Sequence, residues 1–293
     1  MVMAQALGGV ALREQHVAAS GLRLHLVSAG EPGPPVVLLH GFPELWLGWQ
    51  HQIPALVQAG FRVLAPDQRG YNLSDKPPTV PSYALDALAA DVTALLDSLG
   101  LPSSAIVGHD WGAMVAWRVA LTRPERVSRL AILNVPHPDV FQHTLRHNPR
   151  QMLRSWYAMA FQLPWLPEAL SRRDGFRLWQ RALVATSRGD AFTPRDLDLY
   201  ARAWSQPGAF SAMLNWYRAY WRCPPRPTAS PRVRVPTLII WGERDVALVP
   251  EMARASAELC DDGRLEMLPE ATHWVHHEEP ARVNQLLVQF LKS

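Results

Sequence analysis

Five short apolar runs, "PPVVLLHG", "FRVLAPD", "SAIVGHD", "VSRLAILNVP" and "PTLIIWGERD", carry no polar alternation and end in turn residues. Strands buried on both faces read this way, whereas a strand with one wet face alternates. Helical patterns lie between them. "YALDALAADVTALLDSLGL" spaces its apolar residues for a helix and closes on Gly100, and "GAMVAWRVALTRPERV" follows the third run as a second helix. Strands alternating with helices predict an α/β fold whose mostly parallel sheet is covered on both faces.

The alternation stops after Pro136 and resumes near Val235. The stretch between reads as helices with no convincing strand, which predicts a core in two parts, residues 1–136 and 231–293, around a helical cap at 137–230. Residues 137–230 hold 15 of the chain's 26 aromatic side chains. That is more than a small insert needs for its own packing, so some are expected to line a cavity over the sheet.

A chain of 293 residues can bury a core of this kind. Its net charge of +3 is small and dispersed, and the basic residues are arginines except for Lys76 and Lys292. Nucleic-acid binding is therefore not expected. Cys223 and Cys260 have no paired spacing, which argues against a disulfide framework or a zinc site and fits a reducing compartment. No apolar run reaches the length of a membrane span, and "MVMAQALGGVALRE" lacks the basic start of a secretory signal. The expected location is cytoplasmic.

In "VGHDWGA" a strand ends, Gly108 and Gly112 flank Asp110, and a helix begins. This is the spacing of a nucleophile elbow, with an aspartate in the place usually held by serine. An aspartate before a helix can also be a simple N-cap. Two further segments favour the elbow. "LLHGFPELWLGW" ends a strand in His40-Gly41-Phe42-Pro43, where such a fold supplies one oxyanion-hole amide, so the backbone N–H groups of Phe42 and Trp111 are the expected donors. "WGERD" and "PEATHWVHHEEP" place Asp245 just past one strand and His273 past the next, 28 residues on. The chain order nucleophile, acid, base is thereby met. His276 and His277 compete for the base role, but they stand beside Glu278 and Glu279 and read as solvated.

With these segments the chain resembles the epoxide hydrolases of the α/β-hydrolase fold, from about residue 20 to the end, through "HGFPE", "DQRGYNLSD", "GHDWG", "LNVPHP", "LNWYR" and "THW". The resemblance implies two-step opening of an oxirane through an aspartyl ester, assisted by two tyrosines of the cap. "LRSWYAMAFQLPW" and "MLNWYRAYWR" supply Tyr157 and Tyr217, with Tyr220 the nearest rival. Phe42, Trp111, Met114, Phe161 and Trp216 are the expected substrate-binding side chains. No cofactor and no metal is expected. The partners would be a small apolar epoxide and water, with a homodimer left open.

The chemistry accounts for the aspartate. A serine attacking the saturated carbon of an epoxide would leave an inert ether, whereas a carboxylate leaves an ester whose carbonyl water can attack. The rivals are a haloalkane dehalogenase, which would want a second N–H donor where this chain has Phe42, and a noncatalytic small-molecule receptor.

Overall fold

The runs that read as buried strands all enter one sheet. In the computed structural model, which describes residues 6–293, its strands are β1 (Arg13–Ala19), β2 (Leu22–Ala29), β3 (Pro35–Leu39), β4 (Arg62–Pro66), β5 (Ser104–His109), β6 (Val127–Leu133), β7 (Thr237–Gly242) and β8 (Gly263–Leu268). Their order across the sheet is β8-β7-β6-β5-β3-β4-β2-β1. From β3 to β8 all pairs are parallel, while β2 runs antiparallel to both β1 and β4. The central β5 and β7 are buried along their whole length. The edge strand β1 alternates, with charged and polar side chains outward, as an exposed sheet edge requires.

Register decides what meets at the carboxyl edge. Leu39 pairs with Gly108, so the turns after β3 and β5 leave the sheet side by side. His109 pairs with Leu133, and Gly242 with Leu268, which brings the ends of β6, β7 and β8 to the same edge. That edge is where open parallel sheets bind ligands. Core helices α1 (Gln52–Gln58), α2 (Leu85–Ser98) and α3 (Trp111–Thr122) belong to the first part of the chain.

Between β6 and β7 the chain makes seven helices: α4 (Pro138–His147), α5 (Pro149–Arg154), α6 (Trp156–Ala160), α7 (Leu166–Arg172), α8 (Arg177–Thr186), α9 (Pro194–Trp204) and α10 (Ala209–Arg222). Helix α9 starts on a full capping box, in which Thr193 and Asp196 satisfy each other's backbone N–H. Polar bonds seat this cap on the core. The Trp204 indole N–H donates to the Pro43 carbonyl at 2.5 Å, the Trp216 indole to the Arg69 carbonyl at 3.0 Å, and the Arg154 guanidinium to the carbonyls of Asp245 and Leu248 at 2.7 and 3.0 Å. Inside the cap, Arg218 and Glu168 form a buried pair at 2.7 Å. The chain then closes with α11 (Glu251–Ala257), α12 (Val275–Glu278) and α13 (Pro280–Lys292).

Candidate active site

Asp110 stands where strand must become helix within one residue. It holds φ 49° and ψ −125° between β5 and α3, a backbone region that costs energy for any residue with a Cβ. Its neighbours make the turn fit. A Cβ on Gly112 would lie 2.1 Å from the Leu39 carbonyl oxygen, and one on Gly41 would lie 2.4 Å from the Asp110 Cβ. The Asp110 side chain caps nothing in α3. Its Oδ1 instead accepts the Phe42 backbone N–H at 2.7 Å, which disposes of the N-cap alternative. Trp111 is the first residue of α3, and its N–H is among those a helix leaves without an internal partner.

The second Asp110 oxygen faces the histidine. His273 Nε2 lies 3.4 Å from Asp110 Oδ2, and His273 Nδ1 lies 2.7 Å from Asp245 Oδ2. Asp245 is itself held by Asn134 Nδ2 at 2.7 Å on Oδ2 and by the backbone N–H groups of Ala247 and Leu248 at 2.7 and 2.9 Å on Oδ1. Burial pushes both carboxyls up, but His273 and these donors outweigh it and hold Asp110 and Asp245 below the usual range. For His273 burial favours the neutral ring, yet the charge of Asp245 and the bond to Asp110 raise its pKa to about 10. The resting site therefore carries an imidazolium between two carboxylates.

Above these groups lies a cavity of two lobes. Asp110, His273, Tyr157 and Tyr217 border both of its lobes. The smaller lobe encloses about 670 Å³ with its mouth and is lined by Trp111, Met114, Phe141 and Tyr220, among others. The larger encloses about 1590 Å³ with its mouth and includes Phe42, Phe161 and Trp179. The rings of Tyr157 and Tyr217 meet edge to face, 6.0 Å apart. Burial raises both phenols above their ordinary pKa, helped at Tyr157 by the charges of Asp110 and Asp245 and at Tyr217 by Tyr157 and Asp110. Both are protonated at neutral pH. Tyr220 borders only the smaller lobe.

A sequence profile of the α/β hydrolase fold matches residues 34–280. Human epoxide hydrolase 4 is 40% identical over 281 residues, covering 94% of this chain and 77% of its own. The chain belongs to the epoxide hydrolase family of α/β hydrolases. It is an enzyme of the hydrolase class. The AB hydrolase superfamily protein YfhM of Bacillus subtilis is 45% identical over 280 residues, or 95% of this chain and 98% of its own. Among solved structures, a Bacillus megaterium epoxide hydrolase in complex with an inhibitor superposes with a TM-score of 0.87 at 33% identity, covering 95% of this chain and all of that one.

Within this epoxide hydrolase family member, two expectations fail. Trp216 does not line the catalytic cavity: it is buried beneath it, with its indole on Arg69. Neighbouring residues on a helix point about 100° apart, so with Tyr217 turned to the cavity Trp216 turns into the core. His276 and His277 are not solvated either. Both are buried, at 0% and 4% exposure, because α12 tucks them under the sheet edge against Glu44.

Glu44 is the residue that the sequence reading left without a role. Its fully buried carboxylate accepts from Tyr200 at 3.1 Å and His277 at 2.7 Å on Oε1, and from His109 at 3.0 Å on Oε2, with His276 at 3.5 Å. Burial raises this carboxyl, but the surrounding histidines hold it well below the usual range. His109 Nε2 then bonds the His273 carbonyl at 2.9 Å, so the network holds the loop that carries His273. Glu44, His276 and His277 also bring donor atoms within 4.8 Å of one another, the spacing of a metal site. Each Glu44 oxygen is already engaged by hydrogen bonds, whereas both ring nitrogens of His276 and Nδ1 of His277 are buried without a hydrogen-bond partner. The final letter of "HGFPE" and the histidine before the elbow were the available signals.

Proposed function

We propose that the chain hydrolyses an apolar epoxide to a vicinal diol through a covalent ester on Asp110. The observation that carries this reading is a carboxylate at the elbow, bonded on one oxygen by the Phe42 N–H and bordering the same cavity as two buried, protonated phenols. In the first step Asp110 Oδ2 attacks one oxirane carbon, the C–O bond breaks, and a phenol of Tyr157 or Tyr217 gives its proton to the departing oxygen. The resulting tyrosinate takes a proton back from the His273 imidazolium through solvent. His273 is then neutral.

In the second step His273 Nε2 removes a proton from water, which attacks the Asp110 carbonyl carbon. Asp245 holds the Nδ1–H and stabilises the imidazolium. The negative charge forms on Oδ1, the oxygen already facing the Phe42 N–H, with the Trp111 N–H as the second donor. Collapse expels the diol, whose departing oxygen takes the proton from His273; the Asp110 carboxyl, which now holds the water oxygen, passes its remaining proton to His273, and carboxylate and imidazolium return.

Apolar substrates suit the aromatic and aliphatic lining, with Phe42, Trp111, Met114 and Phe161 in contact. A departing halide would need two side-chain N–H donors; Phe42 has none to give, so the dehalogenase reading is not adopted. A receptor reading leaves the complete acid, base and nucleophile set without a use. The test is a single turnover with excess enzyme in heavy-oxygen water. Label is expected in the peptide containing Asp110, with unlabelled diol; label entering the diol directly overturns the ester route.

A further inference from the structure

Most of the exposed large hydrophobic side chains among the described residues fall in one stretch of the cap. Of the twelve that are exposed among the described residues, ten fall between Met152 and Val184, on α5 to α8 of the cap. Leu153 is 74% exposed, Trp165 71% and Trp156 68%, with Met159, Leu163 and Leu170 exposed in the same stretch, Leu163 and Trp165 in the link between α6 and α7. A monomeric soluble protein rarely leaves so many in one region without a use. The patch is continuous with the active-site cavity, because Trp156, Leu163, Leu166, Leu170 and Leu178 also line its larger lobe. It is the rim of the substrate's door.

Positive charges outnumber negative ones around that rim, where Arg150 and Arg188 pair with Glu251 and Glu279 of the core at 3.3 and 2.5 Å. Residues 150–188 contain seven arginines and only two acidic residues, Glu168 and Asp174. Glu168 is neutralised inside the cap by Arg218, and Asp174 lies 3.5 Å from Arg177. Arg172, Arg173 and Arg181 are exposed and enter no ion pair among the described residues. The cap as a whole, residues 137–230, has thirteen arginines against six acidic residues, whereas the rest of the chain has sixteen basic and twenty acidic residues. The positive excess is therefore confined to the module that carries the apolar rim.

Exposed tryptophan and leucine interleaved with arginine is the composition of a surface that lies in a lipid headgroup layer. The apolar side chains enter the acyl boundary and the guanidinium groups stay among the phosphates. We propose that the cap rim from Pro149 to Thr186 docks on an anionic lipid surface, so that the larger lobe opens against the layer in which an apolar epoxide is dissolved. This rests on reading the cavity as a site for apolar epoxides. A second copy of the chain is a poorer occupant, since two such rims would set like charges face to face. The contact is peripheral: no helix among the described residues is long and apolar enough to cross a membrane.

The test uses the whole chain and sucrose-loaded vesicles, with no epoxide present. The protein is expected to sediment with phosphatidylcholine vesicles carrying about 30% phosphatidylglycerol, to remain in solution with phosphatidylcholine alone, and to be released at about 0.5 M salt. Arg173→Glu combined with Arg181→Glu should weaken binding at least about 10-fold, since each basic side chain near an anionic surface contributes on the order of 1 kcal/mol. Trp165→Asn should weaken it independently. Both variants should turn over a water-soluble epoxide at the wild-type rate in vesicle-free buffer. Wild type that stays in solution with both vesicle types overturns the proposal, as does binding unaffected by either variant. A dimer in sedimentation velocity that these substitutions dissolve would assign the rim to a second copy and overturn it too. A chain that binds anionic vesicles yet opens no epoxide would break the functional reading and leave the docking surface standing.

Discussion

Replacing Asp110 with Asn removes one charge while keeping the shape of the side chain, and so presents His273 with the electrostatics of the ester form. At 3.4 Å and an effective dielectric constant of 20, the Asp110 charge stabilises the imidazolium by about 5 kcal/mol. One pH unit corresponds to about 1.4 kcal/mol, so losing that charge should move the His273 titration at least about two pH units below its wild-type value. Burial, which favours the neutral ring, acts in the same direction and persists in the variant. The assay is a ¹⁵N titration of labelled histidine ring nitrogens in both proteins, with the His273 resonance assigned from His273→Gln. In the wild type His273 should stay protonated until its pKa of about 10, while in Asp110→Asn it should titrate near neutrality. If the two proteins titrate within half a pH unit of each other, alkylation cannot be what frees the base, and the coupling described here is wrong.

His273→Gln should still open the epoxide once and then stall, so intact-mass spectrometry should find stoichiometric adduct on Asp110 and turnover about 10²–10⁴-fold down; turnover without adduct would move the base role elsewhere. Tyr157→Phe and Tyr217→Phe should each slow ester formation in rapid-quench experiments, and the double substitution should nearly abolish it; equal rates in wild type and double variant would remove the phenols from the chemistry. Stability should also report on His273. The native ring keeps its proton to about pH 10 and an unperturbed ring only to about 6.5, so its contribution is complete below 6.5 and is lost as pH rises through 10. Denaturant midpoints of His273→Gln should lack that part of the decline, and identical pH profiles for the two proteins would contradict it.

Much of this site was legible because its parts are local. The elbow, the "HGFP" turn and the loops bearing Asp245 and His273 each sit at the end of an apolar run, and a parallel sheet brings all such ends to one edge. The antiparallel pair β1 and β2 escaped notice because β1 is an edge strand rich in polar side chains and lacks the continuous apolar run of its neighbours. The setting of His276 and His277 was hidden for a different reason. Their partner Glu44 lies more than two hundred residues away, and local polarity beside Glu278 and Glu279 pointed to solvent. Trp216 shows the limit of composition: an aromatic in an aromatic-rich cap can serve as a fastener to the core as readily as a wall of the cavity.

The inequality of the two lobes has a consequence for which substrates fit. On the proposed function, an oxirane held between Asp110 and the two phenols would meet two lobes of unequal volume, both bordered by those groups. A molecule with one bulky and one compact substituent would then match the two lobes better than one with two bulky substituents. On that function, the two lobes sort substituents by size, through the difference between about 670 and about 1590 Å³.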